Sequence, residues 1–392
     1  MPDLQITLDY TPGIVAHSGV GRYARSLVWA LEALHQSHHY TLFSRARPTT
    51  DPHLPEGDTF RLRTLPLGEQ ASTTLLQRAR LPLPVDLLAG RADLWHGRDG
   101  TLPALLRSSA LITIPDLAFL TQPESMDPAQ ATSQRQEVTR AAERAEAIIT
   151  FSEHVRRELV ERLSIPTERI HVIAPGVNPT FQRITDTMLL AATRHKFELH
   201  TPFILTVGPL EARKNLVRLI QAFDKIRRER SGPKMLVIAG ENGWRYEDVF
   251  ELVNQLGLKN EVRFLGHISD LELIFLYSMA DVVALPSLYE GFGFALLEAM
   301  ACGAPVVSSN AGALPEVAGG AALLVTPTDT DALGTMLSRV LHNPKLGALL
   351  SKKGIARAAK FSWEISAQAH LKLYEEVVQK HEQQQQRQGS RK

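Results

Sequence analysis

The feature that most constrains this chain is the alternation of short β-branched apolar runs with helical stretches, which breaks once and then restarts. In the first half, 4–10, 40–44, 92–97, 110–114, 147–151 and 170–174 read as strands, with amphipathic helices over 20–35, 129–146 and 153–163. The pattern resumes at Pro202-Phe-Ile-Leu-Thr-Val-Gly208, with later strands at 234–240, 261–265, 281–285, 305–308 and 321–325. Strand–helix alternation predicts parallel sheets covered by helices. Two such runs in 392 residues predict an α/β chain of two doubly wound, Rossmann-like domains facing each other across a cleft. The expected domains are 1–180 and 200–362. A helix at 363–380 is free to pack back on the first, and a polar, glutamine-rich tail at 381–392 is expected to be disordered.

Composition narrows the function by exclusion. A net charge of +1 gives no field to recruit nucleic acid. The single cysteine, Cys302, rules out an internal disulfide and lies in an apolar helical run, as a buried structural thiol would. No signal peptide and no bilayer-length apolar run is visible, so a cytoplasmic location is expected. The stretch Leu75–Val85, with Arg78 and Arg80 among leucines, reads first as a surface connector and second as a peripheral membrane contact.

Two clusters carry chemistry. Glu290 and Glu298 are eight positions apart and would sit about 80° apart on one straight helix. Gly291-Phe292-Gly293 argues against such a helix, so Glu290 is placed on a loop and Glu298 on the second turn of a helix starting near Phe294. Glycines before a helix N-terminus let a diphosphate approach backbone N–H groups, and carboxylates suit sugar and ribose hydroxyls. The plainer alternative is two solvated glutamates. The second cluster is Gly208-Pro-Leu-Glu-Ala-Arg213-Lys214, where adjacent cations after a strand can neutralise a pyrophosphate. Asp329-Thr-Asp331 imitates a metal-binding pattern but is read as a helix cap, and no metal is expected. Gly19-Val-Gly21 lacks the third glycine of a dinucleotide fingerprint.

Together with Asp93-Leu-Trp-His96-Gly, Ile112-Thr-Ile-Pro115-Asp116-Leu, Leu236–Trp244 and Val262–Gly266, these segments resemble the family 4 glycosyltransferases of GT-B type, in the group with bacterial mannosyltransferases of polysaccharide assembly. The resemblance implies a retaining, metal-independent transfer of a hexose from a nucleotide-diphosphate sugar, GDP-mannose in this subgroup, to a saccharide or lipid-linked acceptor, with no bound cofactor. It assigns the diphosphate to Arg213 and Lys214, ribose to Glu298, and the transferred sugar to Glu290 with the backbone of Gly291, Phe292, Gly293 and Phe294. Gly19, Gly21 and Gly208 join the donor-binding set. Asp116, Glu290, Arg213 and Lys214 are the candidate catalytic residues, and Asp116 and His96 the acceptor-side candidates. The family usually has His-Asp where this chain has Pro115-Asp116, which leaves a role unfilled; His96 is its substitute or a structural turn residue. The rival readings are a same-fold phosphorylase, sugar-phosphate synthase or epimerase, or a non-catalytic nucleotide-sugar binder.

Overall fold

The structure is a computed structural model and describes residues 3–15, 19–48, 54–65, 84–90, 92–98, 100–229 and 235–389. The chain divides into two compact units. Unit 1 comprises Met1–Leu117, Ser133–Gly176 and Ser362–Lys392; unit 2 comprises Ala118–Thr132 and Val177–Phe361.

Unit 1 is built on a parallel sheet whose described strands are β1 (Gln5–Asp9), β2 (His39–Ser44), β3 (Phe60–Thr64), β4 (Leu94–Gly97), β5 (Ser109–Thr113), β6 (Ala147–Thr150) and β7 (Ile170–Val172). Their order is β3-β2-β1-β4-β5-β6-β7, so the winding reverses between β1 and β4. Central strands such as β5 and β6 are buried at every position, as parallel strands covered on both faces must be. The sequence reading omitted β3. It is an edge strand, Phe-Arg-Leu-Arg-Thr, with only Phe60 buried, and its arginines suit an unpaired edge.

Unit 2 repeats the plan with β8 (Phe203–Val207), β9 (Met235–Ala239), β10 (Val262–Gly266), β11 (Val282–Leu285), β12 (Val306–Ser309) and β13 (Leu323–Val325), all parallel in the order β10-β9-β8-β11-β12-β13. Its core packs Ile204, Leu236, Ile238, Val282 and Ala284 under Leu219, Phe223, Leu333 and Leu337 from the helices Leu216–Arg227 and Thr330–Leu341. The winding reverses here between β8 and β11.

Two expectations need correction. Residues 118–132 do not belong with the first unit: the turn Pro123–Ser125 packs against the turn Ala212–Lys214 of unit 2. No proline- or glycine-rich linker announces that excursion. The 381–392 tail is not disordered over its described part, because the last helix runs from Trp363 to Gly389. Glutamine is a good helix former, and adding residues to an existing helix is cheap. His381 further ties it to Glu146 at 2.9 Å. The last helix turns Trp363, Ala367, His370, Leu373, Tyr374 and Val377 inward, whereas Ile365 is 62% exposed. The membrane-contact candidates Arg78 and Arg80 lie outside the described residues, while Val85 at the end of that stretch is buried.

Candidate functional site

The site grows from the β8/β11 switch point, the place where open parallel sheets receive ligands. β8 runs into Gly208 at φ +137°, where a Cβ would come within 2.9 Å of the Lys214 side chain. The chain then turns through Ala212–Lys214 and enters the helix Leu216–Arg227 by way of Asn215 in the left-handed region at φ 60°. Asparagine tolerates that conformation, and here its buried side chain also laces the neighbourhood. Its Nδ2 donates to the carbonyls of Pro286 (2.9 Å) and Pro327 (2.7 Å), and its Oδ1 accepts from Arg218 (2.8 Å). The Leu288 N–H donates to the Arg213 carbonyl at 2.8 Å, so the loops after β8 and β11 form one assembly.

At its centre is an ion cluster. Lys214 Nζ meets Glu290 Oε1 at 2.6 Å and Arg213 Nη1 meets Glu290 Oε2 at 3.0 Å. Arg213 Nη2 also holds Glu211 at 2.6 Å, and Ser287 Oγ donates to Glu290 at 2.8 Å. The three side chains Arg213, Lys214 and Glu290 are 17, 14 and 15% exposed, so these pairs are far better shielded than surface salt bridges. Burial pushes the Glu290 carboxyl up, but Lys214 and Arg213 with their hydrogen bonds overcome it and hold the group at about 2. Glu290 is therefore a permanently charged acceptor and a very weak base.

After Glu290 the chain passes Gly291 and the buried Phe292, whose ring meets Phe361 and Phe294 edge-on. Gly293, at φ +104° with Leu314 only 2.7 Å from a Cβ there, opens the helix Phe294–Ala301 without a side-chain cap. Glu298 is on the second turn and 4% exposed. Across from it, the Ala313 N–H donates to the Glu290 carbonyl at 2.9 Å, and a Cβ at Gly312 would lie 2.3 Å from that oxygen. Cys302 is fully buried, and burial followed by Glu298 pushes its thiol up to about 12, so it is inert. Asp329 caps the next helix by accepting from Ala332 N–H at 2.8 Å, and Asp331 pairs with Lys225.

The other candidates belong to unit 1. Gly19 and Gly21 lie in the first turn of the helix Gly19–Glu32. Asp116 is partly exposed on the segment after β5. His96 is withdrawn as an acceptor-side group, because it is fully buried with both ring nitrogens used: Nδ1 meets Tyr374 Oη at 2.8 Å and Nε2 meets Thr113 Oγ1 at 2.7 Å. Tyr23 Oη continues the network to His370 Nε2 at 2.8 Å. Burial first, with Arg98 and His370 adding, holds the His96 imidazole well below its usual value; burial likewise brings His370 to about 4.

Sequence reasoning missed Glu211, Ser287 and the lacing role of Asn215, all inside or beside quoted motifs. It also missed His370, Tyr374 and Arg98. The polar residues at 287 and 211, two to three positions from the charged groups, are the available signal; His370 is a single polar residue within the apolar run of the last helix and carries none. Among the described residues no group of three or more His, Cys, Asp or Glu could hold a metal, and no helix is long and apolar enough to cross a membrane.

Known proteins match this arrangement in both units. The family described as Glycosyltransferase Family 4 matches residues 17–181, and Glycosyl transferases group 1 matches 192–357. The chain is 28% identical over 361 residues to an O-antigen chain mannosyltransferase B of Escherichia coli, covering 88% of this chain and 93% of that one. It is 30% identical over 240 residues to the serotype-specific mannosyltransferase WbdA of Escherichia coli, covering 60% of this chain but only 29% of that protein's length. Among solved structures, sucrose-phosphate synthase from Thermosynechococcus elongatus superposes with a TM-score of 0.77 at 24% identity, covering 95% of this chain and 99% of that one. With both family matches in chain order and this fold, the chain belongs to the family 4 glycosyltransferases of GT-B architecture.

Proposed function

We propose that this glycosyltransferase moves a hexose, mannose by its similarity to the O-antigen enzyme, from a nucleotide-diphosphate sugar to a saccharide or lipid-linked saccharide, with retention and without a metal. The observation that carries the reading is the Lys214–Glu290–Arg213 cluster at the β8/β11 switch point. Two cations on one turn are placed to take the charge that develops on a departing diphosphate, the electrostatic contribution such a transfer needs most. Glu290, held ionised, accepts hydroxyl hydrogen bonds from the sugar and orients it; Glu298 on the following helix does the same for ribose. A carboxylate held at about 2 cannot serve as the acid or base of a glycosidase-like mechanism, whose general acid needs a raised value. The leaving phosphate is then the group that takes the acceptor proton, and retention follows from attack on the face it leaves. Asp116 is the acceptor-side carboxylate in this scheme.

Calorimetric titration with a panel of nucleoside diphosphates and their mannose and glucose conjugates tests the assignment. GDP and GDP-mannose should bind, and Glu290→Ala and Lys214→Ala should each weaken binding at least tenfold. Unchanged affinity in both variants would remove the donor site from this cluster. Binding of the donor with no transfer to any mannose-bearing acceptor would favour a non-catalytic binder.

A further inference from the structure

Unit 1 has a switch point of its own, between β1 and β4, and the residue leaving β4 there is Arg98. Its side chain is among the largest fully buried ones in the molecule, 1% exposed. Among the described residues none of Nε, Nη1 and Nη2 has a hydrogen-bond partner. Its Cζ lies 5.0 Å from the centre of the Tyr23 ring, which attracts a cation but satisfies none of its N–H groups in their own plane. A guanidinium, unlike a lysine or histidine, does not escape burial by losing its proton.

Nothing described around it supplies the missing negative charge. Asp9, which closes β1, pairs with Arg45 at 3.8 Å and accepts from the Thr11 N–H at 3.0 Å. His96 and His370 are neutral, through burial first and the nearby Arg98 charge in addition. Burial raises the phenols of Tyr10, Tyr23 and Tyr374 against the pull of Arg98, so they too stay uncharged. Arg25, bound to the Gly13 carbonyl at 3.0 Å, adds a second cation within electrostatic reach of Tyr10. Arg98 is thus an uncompensated cation in a low-dielectric surrounding among the described residues, at the switch point of its sheet, the kind of place where open parallel sheets receive ligands.

We propose that Arg98 anchors an oxyanion subsite at the β1/β4 switch point, taking a phosphate or carboxylate group carried by the acceptor. The planar fork of arginine matches both oxyanions through paired N–H donors, and a buried, unpaired cation gains most from such a partner. Oxyanion binding stands on unit 1 alone; its assignment to the acceptor rests on the transfer reading above.

The test titrates the full chain with inorganic phosphate and, separately, glucuronate, reading thermal melting and calorimetric affinity. Lys214→Ala weakens the anion response of the unit 2 cluster, in which Arg213 remains, and Arg98→Met is added to that background. We expect the Lys214→Ala chain to keep an anion response and the Arg98→Met addition to cut its affinity at least tenfold while melting no lower without anion. A response to phosphate alone or to glucuronate alone supports the subsite and names its ligand. An anion response already absent in Lys214→Ala, or unchanged by Arg98→Met in a chain that melts lower, overturns it and leaves Arg98 as a structural cation over Tyr23. If Arg98→Met does not fold, Arg98→Lys keeps charge but loses the fork and must still weaken the response several-fold. GDP affinity separates the two readings: it reports the donor site and should be unaltered by Arg98→Met.

Discussion

The two switch points of this molecule solve the same problem in opposite ways. Both gather buried polar groups at the carboxyl ends of parallel strands. In unit 2 the charges balance locally: Arg213 and Lys214 face Glu290, with Glu211 and Ser287 completing the cluster. In unit 1 the network of His96, Thr113, Tyr374, Tyr23 and His370 is neutral, and the side chain of Arg98 beside it has no hydrogen-bond partner among the described residues. The contrast separates a site arranged around charge from a network that fixes structure. Removing a group should therefore affect turnover in the first and stability in the second.

The sharpest test is Arg213→Ala against Tyr374→Phe. Arg213→Ala should lower the transfer kcat/KM by about 10²–10³, as loss of one charge-stabilising donor does, a loss that persists when activity is read well below the variant's melting temperature. Tyr374→Phe strips the partner from a buried imidazole nitrogen and should cost roughly 1–3 kcal/mol of stability, seen as a lower melting temperature with GDP affinity retained. If Tyr374→Phe instead abolished transfer in a fully stable chain, the division would fail.

Acid should separate the units next. His370 falls from 6.5 to about 4 on folding, so the unfolded chain binds more protons in that window. Its contribution is complete above pH 6.5 and lost as pH drops towards 4, up to roughly 3 kcal/mol. Glu290 falls from 4.5 to about 2, so its contribution persists until pH drops below about 4.5. Hydrogen exchange at pH 5 should show unit 1 amides opening while unit 2 amides stay protected. Equal loss in both would break the comparison.

Two smaller effects refine the picture within unit 2. Gly312→Ala puts a Cβ against the Glu290 carbonyl at a left-handed φ of 58°, and should cost about 1–3 kcal/mol while shifting the Glu290 loop enough to weaken donor binding. Ser287→Ala removes one neutral donor from a carboxylate still held by two cations. Its effect should be about 1 kcal/mol, measured as a donor affinity loss of tenfold or less.

Much of this was legible in the residues themselves. Central parallel strands are continuous apolar runs, so β5, β6, β9 and β11 stand out, and the helix start at Phe294 with its end near Gly303 follows from glycines. β3 escaped because an edge strand with outward arginines has no such run. The charged groups of the unit 2 cluster are visible in the sequence, but which carboxylate answers which cation is not. Arg213 is shared by Glu211, two positions away, and Glu290, seventy-seven away, and only the fold decides that. His96 reads in sequence as either an acceptor-side substitute or a structural residue, and Tyr374, 278 positions later, decides for the second. A pairing of that range leaves no local trace.

That last pairing also bears on recombination among relatives. Unit 1 is assembled from three separate stretches, and its polar network closes only when Ser366, His370 and Tyr374 arrive from the far end of the chain. A chimera spliced once near residue 178 would join a foreign final helix to the native His96 and Tyr23. A domain exchange between relatives should therefore fold with two crossovers, the second near residue 362, and yield poorly folded hybrids with one.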